Sequence, residues 1–255
     1  DIYNWVNEDA TPIRSTVRSF FESGEEYFKT DLLIRRLDDT YAWYALTGTL
    51  VKHEKTGRNK RFVVRMENID SKMTQEKELT EKAENDQLTG ILNKKTMEER
   101  VKAQLEHCAG SRNLIFFMID LDNFKDVNDT LGHAYGDKVL TEAAEKLKQV
   151  FPAKALIGRL GGDEFSVCAS FDAFDLDNLT EYMTQKGDKL CDILKEEYVS
   201  GDKSVQVSAS IGIASAPVDG EDFLTIYQKA DKALYLSKRS GKNRYNLFQH
   251  SAADE

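Results

Sequence analysis

The chain has 255 residues and a net charge of −9, with 40% hydrophobic and 31% charged residues. These values are typical of a globular protein of one or two domains, and the negative charge argues against nucleic-acid or anionic-membrane binding through bulk charge. No apolar run is long enough to span a bilayer and no signal peptide is evident, so we expect a cytoplasmic chain without a nucleic-acid partner or direct membrane insertion. Three scattered cysteines are typical of a reducing compartment. Because the chain opens at Asp1, we leave open that it belongs to a longer, membrane-tethered protein.

Residues 1–70 are predicted to form one unit. Apolar residues at helical spacing predict a helix over 11–28, and alternating segments predict strands over 31–37, 41–53 and 60–69. A helix followed by an antiparallel meander resembles the C-terminal half of a PAS sensor domain. The pattern lacks the other half of that module, so we expect a partial PAS-like segment without a complete ligand pocket.

Residues 71–85 are polar and helix-prone, and they predict a linker helix. A possible seam recurs at 4-3-4-3 spacing, but two of its members are polar, which would make a coiled coil marginal; its members are Ile69, Met73, Glu76, Thr80 and Ala83. Two interpretations stay open: a solvated linker, or a signalling helix whose weak dimer contact the upstream unit can shift.

From residue 86 the pattern alternates between helices and strands. Helices are predicted within 89–109 and over 136–150, 176–198 and 222–240, and a turn or short helix over 124–128. Strands are predicted over 113–119, on both sides of a hairpin at 161–162, and over 205–214 and 244–248. This order predicts an α+β domain over 86–250, with an antiparallel-centred sheet flanked by helices in a ferredoxin-like or palm-type arrangement. Residues 251–255 are predicted to form a tail.

Acidic residues stand at two predicted turns of this domain. The pair Gly161-Gly162 predicts a tight hairpin whose lip carries Asp163 and Glu164, and an apolar strand ends at Asp120. In a palm-type sheet these positions lie side by side, where carboxylates could hold two Mg²⁺ (or Mn²⁺) ions for phosphoryl or nucleotidyl transfer. The hairpin alone is equally compatible with solvated surface acids.

Five blocks of sequence decide between these interpretations. They read Asp-Gln-Leu-Thr-Gly-Ile-Leu-Asn at 86–93, Asp-Leu-Asp-Asn-Phe-Lys with Gly-His-Ala-Tyr-Gly-Asp within 120–137, Arg-Leu-Gly-Gly-Asp-Glu-Phe at 159–165, Ser-Ile-Gly-Ile-Ala at 210–214, and Ala-Asp-Lys-Ala-Leu-Tyr-Leu-Ser-Lys at 230–238 followed by Gly-Lys-Asn. Together they resemble the GGDEF domain of the diguanylate cyclase family over its whole length. The resemblance implies a nucleotidyltransferase that joins two GTP molecules into cyclic di-GMP and releases two pyrophosphates.

The resemblance also implies roles for the acidic residues. Asp120 and Asp163 are expected to bind metal through their carboxylates, Leu121 through its main-chain carbonyl, and Glu164 as a further metal ligand. Asp163 and Glu164 form the expected catalytic pair, and Asp163 is the first candidate to assist deprotonation of the ribose 3′-hydroxyl.

Substrate contacts follow from the same resemblance. Asn128 and Asp137 are expected to read the guanine edge. The rest of the nucleotide is expected to contact Asn123, Phe124, Lys125, Gly161, Gly162, Lys238 and Lys242. Because one domain holds one GTP, catalysis is expected to need a homodimer. The N-terminal segment is then expected to regulate output by controlling this dimer.

Two features depart from the family pattern. Many members carry an inhibitory product site, Arg-x-x-Asp, where this chain has Pro152-Ala153-Lys154-Ala155, so we expect no feedback inhibition through that stretch. Lys242 stands where arginine is frequent, and lysine keeps the charge but loses the bidentate fork. The alternative function is a catalytically silent GGDEF domain that acts as a GTP-binding or regulatory module; the intact acidic signature favours an active cyclase.

Overall fold

The computed structural model describes residues 6–7, 12–52, 59–108, 113–171 and 176–249. It divides the chain into two compact units, residues 1–81 and 82–255. The predicted tail, 251–255, and the turn around 53–58 lie outside the described residues. None of the helices in the described part is both long and apolar enough to cross a membrane.

The N-terminal unit contains a helix and an antiparallel meander. Helix α1 (Ile13–Ser23) precedes strands β1 (Tyr27–Arg35), β2 (Tyr41–Lys52) and β3 (Asn59–Asn68), which pair in that order, and α2 (Asp70–Glu84) follows. Alternate residues of the strands meet α1 in a small apolar core that includes Ile13, Phe20, Leu32 and Leu46. A helix followed by three antiparallel strands agrees with the sequence pattern, while the assignment to a PAS sensor stays a prediction.

The first helix is shorter than the sequence predicts. It ends at Ser23 because Gly24 adopts a left-handed φ of 75°, a conformation that glycine takes without steric cost. The prediction extended the helix to Phe28, but Phe28 lies in β1 and packs against the Phe20 ring at 5.3 Å between centroids. Phe28 therefore follows Phe20 at a helical spacing without belonging to the helix, and the two rings meet because the chain turns back after Gly24.

The C-terminal unit is built on a seven-stranded sheet. Its helices are α3 (Lys94–Cys108), α4 (Phe124–Leu131), α5 (His133–Val150), α6 (Leu176–Leu194) and α7 (Phe223–Arg239). Its strands are β4 (Leu92–Asn93), β5 (Asn113–Asp122), β6 (Leu156–Gly161), β7 (Glu164–Phe171), β8 (Glu196–Ser200), β9 (Lys203–Ala216) and β10 (Arg244–Leu247). The sheet order is β10-β9-β5-β7-β6-β4, and β8 pairs with β9. The central pairs are antiparallel, whereas the β4–β6 and β10–β9 pairs at the edges are parallel.

Helices cover both faces of this sheet, and β5 lies at its centre. Ile115, Phe117 and Ile119 face the core formed with α4, α5 and α6. Phe116 and Met118 alternate with them and face the core formed with α3 and α7. Burial on both faces explains why this strand is a continuous apolar run. The prediction of an α+β palm-type domain is confirmed.

The sequence prediction is wrong at the end of α6. It extended that helix to Tyr198, but the helix ends at Leu194 and Tyr198 lies in the short strand β8. The Tyr198 hydroxyl donates to Glu142 on α5 at 2.9 Å, and the strand pairs with β9. The residues before Tyr198 are polar and helix-prone, so their local pattern favours a helix. They form a strand because they pair with β9, which the local pattern does not show.

Candidate active site

The acidic residues of the signature meet where β5 ends beside the β6–β7 hairpin. Strands β5 and β7 pair antiparallel with Asp120 opposite Glu164. The Leu121 backbone N–H donates to the Asp163 carbonyl oxygen at 3.2 Å, which joins the hairpin tip to the end of β5. Asp120 on β5, Asp163 in the hairpin turn and Glu164 on β7 therefore lie together at one end of the sheet.

The hairpin itself is fixed by glycine and by one arginine. Gly161 and Gly162 have φ of 149° and 53°, and open space surrounds the position where a Cβ would stand on either residue. Arg159, in the strand before the turn, donates to the Gly162 carbonyl and contacts Asp86. Arg159 belongs to the motif at 159–165, but no local pattern indicates its role, because its partner Asp86 lies far away along the chain.

Asp120 is only 9% exposed, and its carboxylate contacts a lysine. Lys238 Nζ lies 2.6 Å from Asp120 Oδ2. Burial raises the pKa of Asp120 above its ordinary value, and the negative charges of Asp163 and Glu164 raise it further, while Lys238 offsets only part of the effect. The site concentrates negative charge in a poorly solvated place, where added positive charge is stabilising.

These residues fit a hard divalent cation. The donors are carboxylate oxygens, and Leu121, whose side chain is buried, offers its main chain only. Magnesium is commonly held by one or two carboxylates with substrate phosphates and water completing its shell. Among the residues that the structure describes, no three Asp, Glu, His or Cys side chains are grouped as a ready-made metal site.

Positive side chains border the acids from two directions. Lys238 is in the last turn of α7, and Lys242 in the following turn donates from Nζ to Asn123 Oδ1 at 2.9 Å. Asn123 has φ of 63° and precedes α4, whose first backbone N–H groups are free of intrahelical partners as in any helix. Lys125 is exposed in the first turn of α4. Helix N-termini and lysines together favour phosphate groups.

The two residues predicted to read guanine lie on neighbouring helices. Asn128 is on α4 and Asp137 on α5, and the two helices join at Gly132. A Cβ placed on Gly136 would stand 2.1 Å from Asn128 Oδ1 and 3.3 Å from the Phe124 ring. The Asn128 amide therefore rests against the α5 backbone directly beside Asp137, so the structure brings this pair together.

One buried carboxylate was not singled out by the sequence. Asp122 ends β5 at 3% exposure and contacts Ser208 and Ser210 on β9. A charged residue at a strand end usually indicates a solvated turn, so the motif alone gave no sign of burial. The available signal was its two-residue spacing from Asp120, which places both carboxylates on the same face of β5.

Comparison with known proteins identifies the family. The family model described as "Diguanylate cyclase, GGDEF domain" matches residues 83–244. The chain belongs to the GGDEF family of diguanylate cyclase domains. A sensory box/GGDEF family protein from Caulobacter crescentus has a similar structure, with a TM-score of 0.54, 32% identity, and coverage of 62% of this chain and 99% of that one.

Curated relatives carry several names. Signaling protein YkoW of Bacillus subtilis is 35% identical over 71% of this chain and 22% of its own length. The bifunctional diguanylate cyclase/cyclic di-GMP phosphodiesterase MucR of Pseudomonas aeruginosa is 34% identical over 69% and 25%. Cyclic di-GMP phosphodiesterase PdeR of Escherichia coli is 28% identical over 94% and 35%. The chain thus spans about a third or less of these relatives, whose names extend to both synthesis and degradation of cyclic di-GMP.

Proposed function

We propose that this chain is an active diguanylate cyclase that condenses two GTP molecules into cyclic di-GMP and two pyrophosphates. The observation that carries the proposal is the meeting of Asp120, Asp163 and Glu164 beside Lys238. The chain keeps both acids of the signature and the predicted guanine-reading residues Asn128 and Asp137, which supports an active enzyme over a silent domain. Family membership supports the same chemistry.

Each end of the nucleotide has its own set of residues. Asp137 accepts from the N1–H and exocyclic amine of guanine, donors that adenine does not present in that arrangement, and Asn128 reads the neighbouring edge. Lys125, Lys238 and Lys242 hold the triphosphate. When bound at Asp120, Asp163, Glu164 and the Leu121 carbonyl, Mg²⁺ or Mn²⁺ supplies charge neutralisation of the phosphates.

The reaction is an in-line displacement at the α-phosphorus. The ribose 3′-oxygen of one GTP forms a bond to the α-phosphorus of the other, the bond from that phosphorus to the bridging oxygen breaks, and pyrophosphate leaves. The 3′-hydroxyl proton passes to the Asp163 carboxylate, with Glu164 as the adjacent acidic group. Lys238 and Lys242 stabilise the charge that develops on the phosphate oxygens. Two such steps close the ring.

Catalysis requires two domains. A single set of guanine-reading and phosphate-binding residues holds one GTP, so each 3′-hydroxyl must meet the α-phosphate held by a second copy. We propose a homodimer with the two sites facing each other, formed at least during turnover. The N-terminal unit, connected through α2, would then regulate output by changing how readily two catalytic domains meet.

A second candidate is a catalytically silent GGDEF domain that binds GTP as a regulatory module. PdeR, which aligns over 94% of this chain, is named a phosphodiesterase and not a cyclase, and this observation supports the second candidate. In that case GTP binding persists but no product forms.

One experiment separates the candidates. The chain is incubated with GTP and Mg²⁺ at a series of protein concentrations, and nucleotides are separated by chromatography. We expect cyclic di-GMP and pyrophosphate, with an initial rate that rises more steeply than the first power of protein concentration. A rate strictly proportional to protein would overturn transient dimerisation, and GTP binding without product would favour the silent module.

The matched variants are Asp163→Asn and Asp202→Asn. Asp163→Asn removes one of the site carboxylates from an exposed turn, so product formation should fall by about a hundredfold or more while thermal unfolding stays at the wild-type temperature. Asp202→Asn changes an exposed aspartate in the β8–β9 turn and should retain the wild-type rate. Undiminished activity of Asp163→Asn would refute its assigned role.

A further inference from the structure

Asp122 is a buried carboxylate whose hydrogen-bonding capacity is heavily used. Its Oδ1 accepts from the Ser210 hydroxyl at 2.7 Å, and its Oδ2 accepts from the Ser208 hydroxyl at 2.7 Å. Oδ2 also accepts from the Asn243 backbone N–H at 3.0 Å. Two hydroxyls of β9 therefore fix the carboxylate, and the carboxylate in turn holds the backbone of a turn that is distant in sequence.

That turn connects α7 to β10 in an unusual conformation. Lys242 and Asn243 have φ of 61° and 47°, and Gly241 before them has φ of 111°. Non-glycine residues enter this left-handed region at an energetic cost, so surrounding contacts must maintain them there. Two backbone donors supply the contacts: Lys242 N–H to the Ser237 carbonyl at 3.1 Å, and Asn243 N–H to Asp122.

The conformation of the turn decides where the Lys242 ammonium lies. Lys242 Nζ donates to Asn123 Oδ1 at 2.9 Å, and the Asn123 amide donates to the Gln206 carbonyl at 3.1 Å. Asn123 immediately precedes α4, so the ammonium is held at the N-terminal end of that helix. Helix N-terminus and ammonium then converge on one place, which suits a phosphate group.

We propose that Asp122 is a positioning residue that holds the left-handed Lys242-Asn243 turn and thereby directs the Lys242 ammonium to the phosphates of a bound nucleoside triphosphate. This inference rests on the proposed function, because it takes GTP as the ligand. Asp122 itself does not touch the nucleotide; it acts through the Asn243 backbone. The consequence is that phosphate recognition depends on Asp122 while guanine recognition by Asn128 and Asp137 does not.

The test compares two nucleotides that share guanine but differ in phosphates. Dissociation constants for GTP and GMP are measured by competition against a fluorescent GTP analogue, with Mg²⁺ present. In Asp122→Asn, the negative charge is lost and one of the two acceptor oxygens becomes an NH₂ group, so the side chain cannot accept all three hydrogen bonds, and the Asn243 N–H no longer donates to a charged acceptor. We expect GTP affinity to fall by about tenfold, as for a lost charged phosphate contact, and GMP affinity to change by less than about twofold.

Lys242→Met shows how GTP and GMP affinities change when the lysine itself is removed. The double variant shows whether Asp122 and Lys242 act on GTP affinity together or independently. If Asp122 acts through Lys242, the Asp122→Asn/Lys242→Met variant binds GTP no more weakly than Lys242→Met alone, because the second change has nothing left to disturb. Amide hydrogen exchange gives an independent readout: the Asn243 N–H should exchange faster in Asp122→Asn. The Ser240 N–H, which donates to the Leu236 carbonyl, should be unchanged.

Asp219→Asn is the matched control for loss of a buried aspartate. Asp219 is 6% exposed and accepts from the backbone and hydroxyl of Ser215, toward the other end of β9 from Ser208. The Asp219→Asn substitution should lower thermal stability without changing the ratio of GTP to GMP affinity. If Asp122→Asn unfolds at the assay temperature, Ser208→Ala/Ser210→Ala replaces it, with the same pattern and a loss of about threefold for GTP.

The outcomes distinguish failure of the proposed function from failure of the positioning role of Asp122. Wild-type protein that fails to bind GTP overturns the proposed function and this inference with it. Wild-type binding with equal losses of GTP and GMP affinity in the variant, or with no loss of either, overturns the positioning role of Asp122 alone. Additive losses in the double variant would likewise refute action through Lys242.

Discussion

Arg159 links Asp86, at the start of the GGDEF domain, to Gly162 at the tip of the acidic hairpin. Its Nη1 lies 3.1 and 3.2 Å from the two Asp86 carboxylate oxygens, while Nε and Nη2 donate to the Gly162 carbonyl at 2.9 and 2.7 Å. The Arg159 side chain is 14% exposed, so these charged hydrogen bonds are little screened. One planar side chain therefore fixes the peptide that immediately precedes Asp163.

Replacement of Arg159 by lysine should uncouple the hairpin from Asp86. A single ammonium can meet Asp86 or the Gly162 carbonyl, but it cannot reproduce the fork that serves both. We expect turnover to fall by about tenfold, because Asp163 loses its fixed position. The free energy of unfolding should drop by about 1.5–3 kcal/mol, the range for hydrogen bonds to charged groups. Chromatographic rates and urea unfolding measure the two effects.

Arg100→Lys is the control for this substitution. Arg100 contacts Glu84 through one nitrogen at 2.6 Å, a single contact that lysine can retain. Its turnover should match the wild type. Wild-type turnover in Arg159→Lys would instead show that the hairpin keeps its catalytic geometry without the fork.

The Asp86 carboxylate should make stability depend on pH in the acid range. Burial raises the pKa of Asp86, but hydrogen bonds from Thr89 and the contact with Arg159 more than offset this, so the pKa lies below its ordinary value of 3.8. A lowered folded-state pKa means that Asp86 stabilises the fold above pH 3.8 and that this contribution disappears as pH falls through the folded-state pKa. The difference in unfolding free energy between wild type and Asp86→Asn should be constant near neutrality and shrink below about pH 4.

Urea unfolding of both proteins between neutral and acid pH measures that difference. Arg159→Met supplies the comparison, because Asp86 then loses a cationic partner and its pKa moves back toward the ordinary value. In that background the acid-dependent part of the Asp86→Asn effect should be smaller. A pH-independent difference in the wild-type background would contradict the lowered pKa.

Much of this site is readable from sequence because it depends on local pattern. The continuous apolar run up to Asp120 requires a strand buried on both faces, and the glycine pair before Asp163 requires a tight turn. Asp122 is different: it carries the same charge at the same kind of position, and only the tertiary pairing of β5 with β9 places two serine hydroxyls against it.

Short elements were also beyond the sequence pattern. Strand β4 has two residues, Leu92 and Asn93, which is too few to show any periodicity. Tyr198 follows a helix-prone polar run, yet pairing with β9 and the hydrogen bond to Glu142 make it part of a strand. In both cases contacts made by residues distant in sequence outweigh local preference.

Gly136→Ala should impair guanine recognition with little effect on stability. The new methyl group would overlap the end of the Asn128 side chain, which can rotate away at low cost to the fold. Alanine also favours the helix more than glycine does. We expect KM for GTP to rise by about tenfold, comparable to loss of a hydrogen-bonding contact to the base, and the unfolding temperature to stay within a few degrees of the wild type.

Gly187→Ala is the matched helical glycine. Its methyl group would stand 2.5 Å from Cγ of the Tyr245 ring, which cannot move as freely because the ring is attached there. This variant should lose stability and keep the wild-type KM. A normal KM in Gly136→Ala, measured beside it, would mean that Asn128 does not need its present position to read guanine.

The product-inhibition prediction concerns Pro152 and Ala155. They line a cavity of about 430 Å³ together with the cationic side chains of Arg100 and Lys148. Neither residue has a side chain that can donate to phosphate or accept from guanine, in contrast to the Arg-x-x-Asp pattern. Micromolar cyclic di-GMP should therefore leave the initial rate of the wild-type protein unchanged.

Pro152→Arg/Ala155→Asp should create the missing sensitivity. The arginine fork suits phosphate and the carboxylate suits the guanine edge, so added cyclic di-GMP is expected to lower the initial rate of this variant several-fold. Initial rates measured with increasing product, in both proteins at equal concentration, provide the comparison. If product inhibits the wild type and the double substitution changes nothing, inhibition operates through another surface, and the cavity beside Arg100 and Lys148 has no part in it.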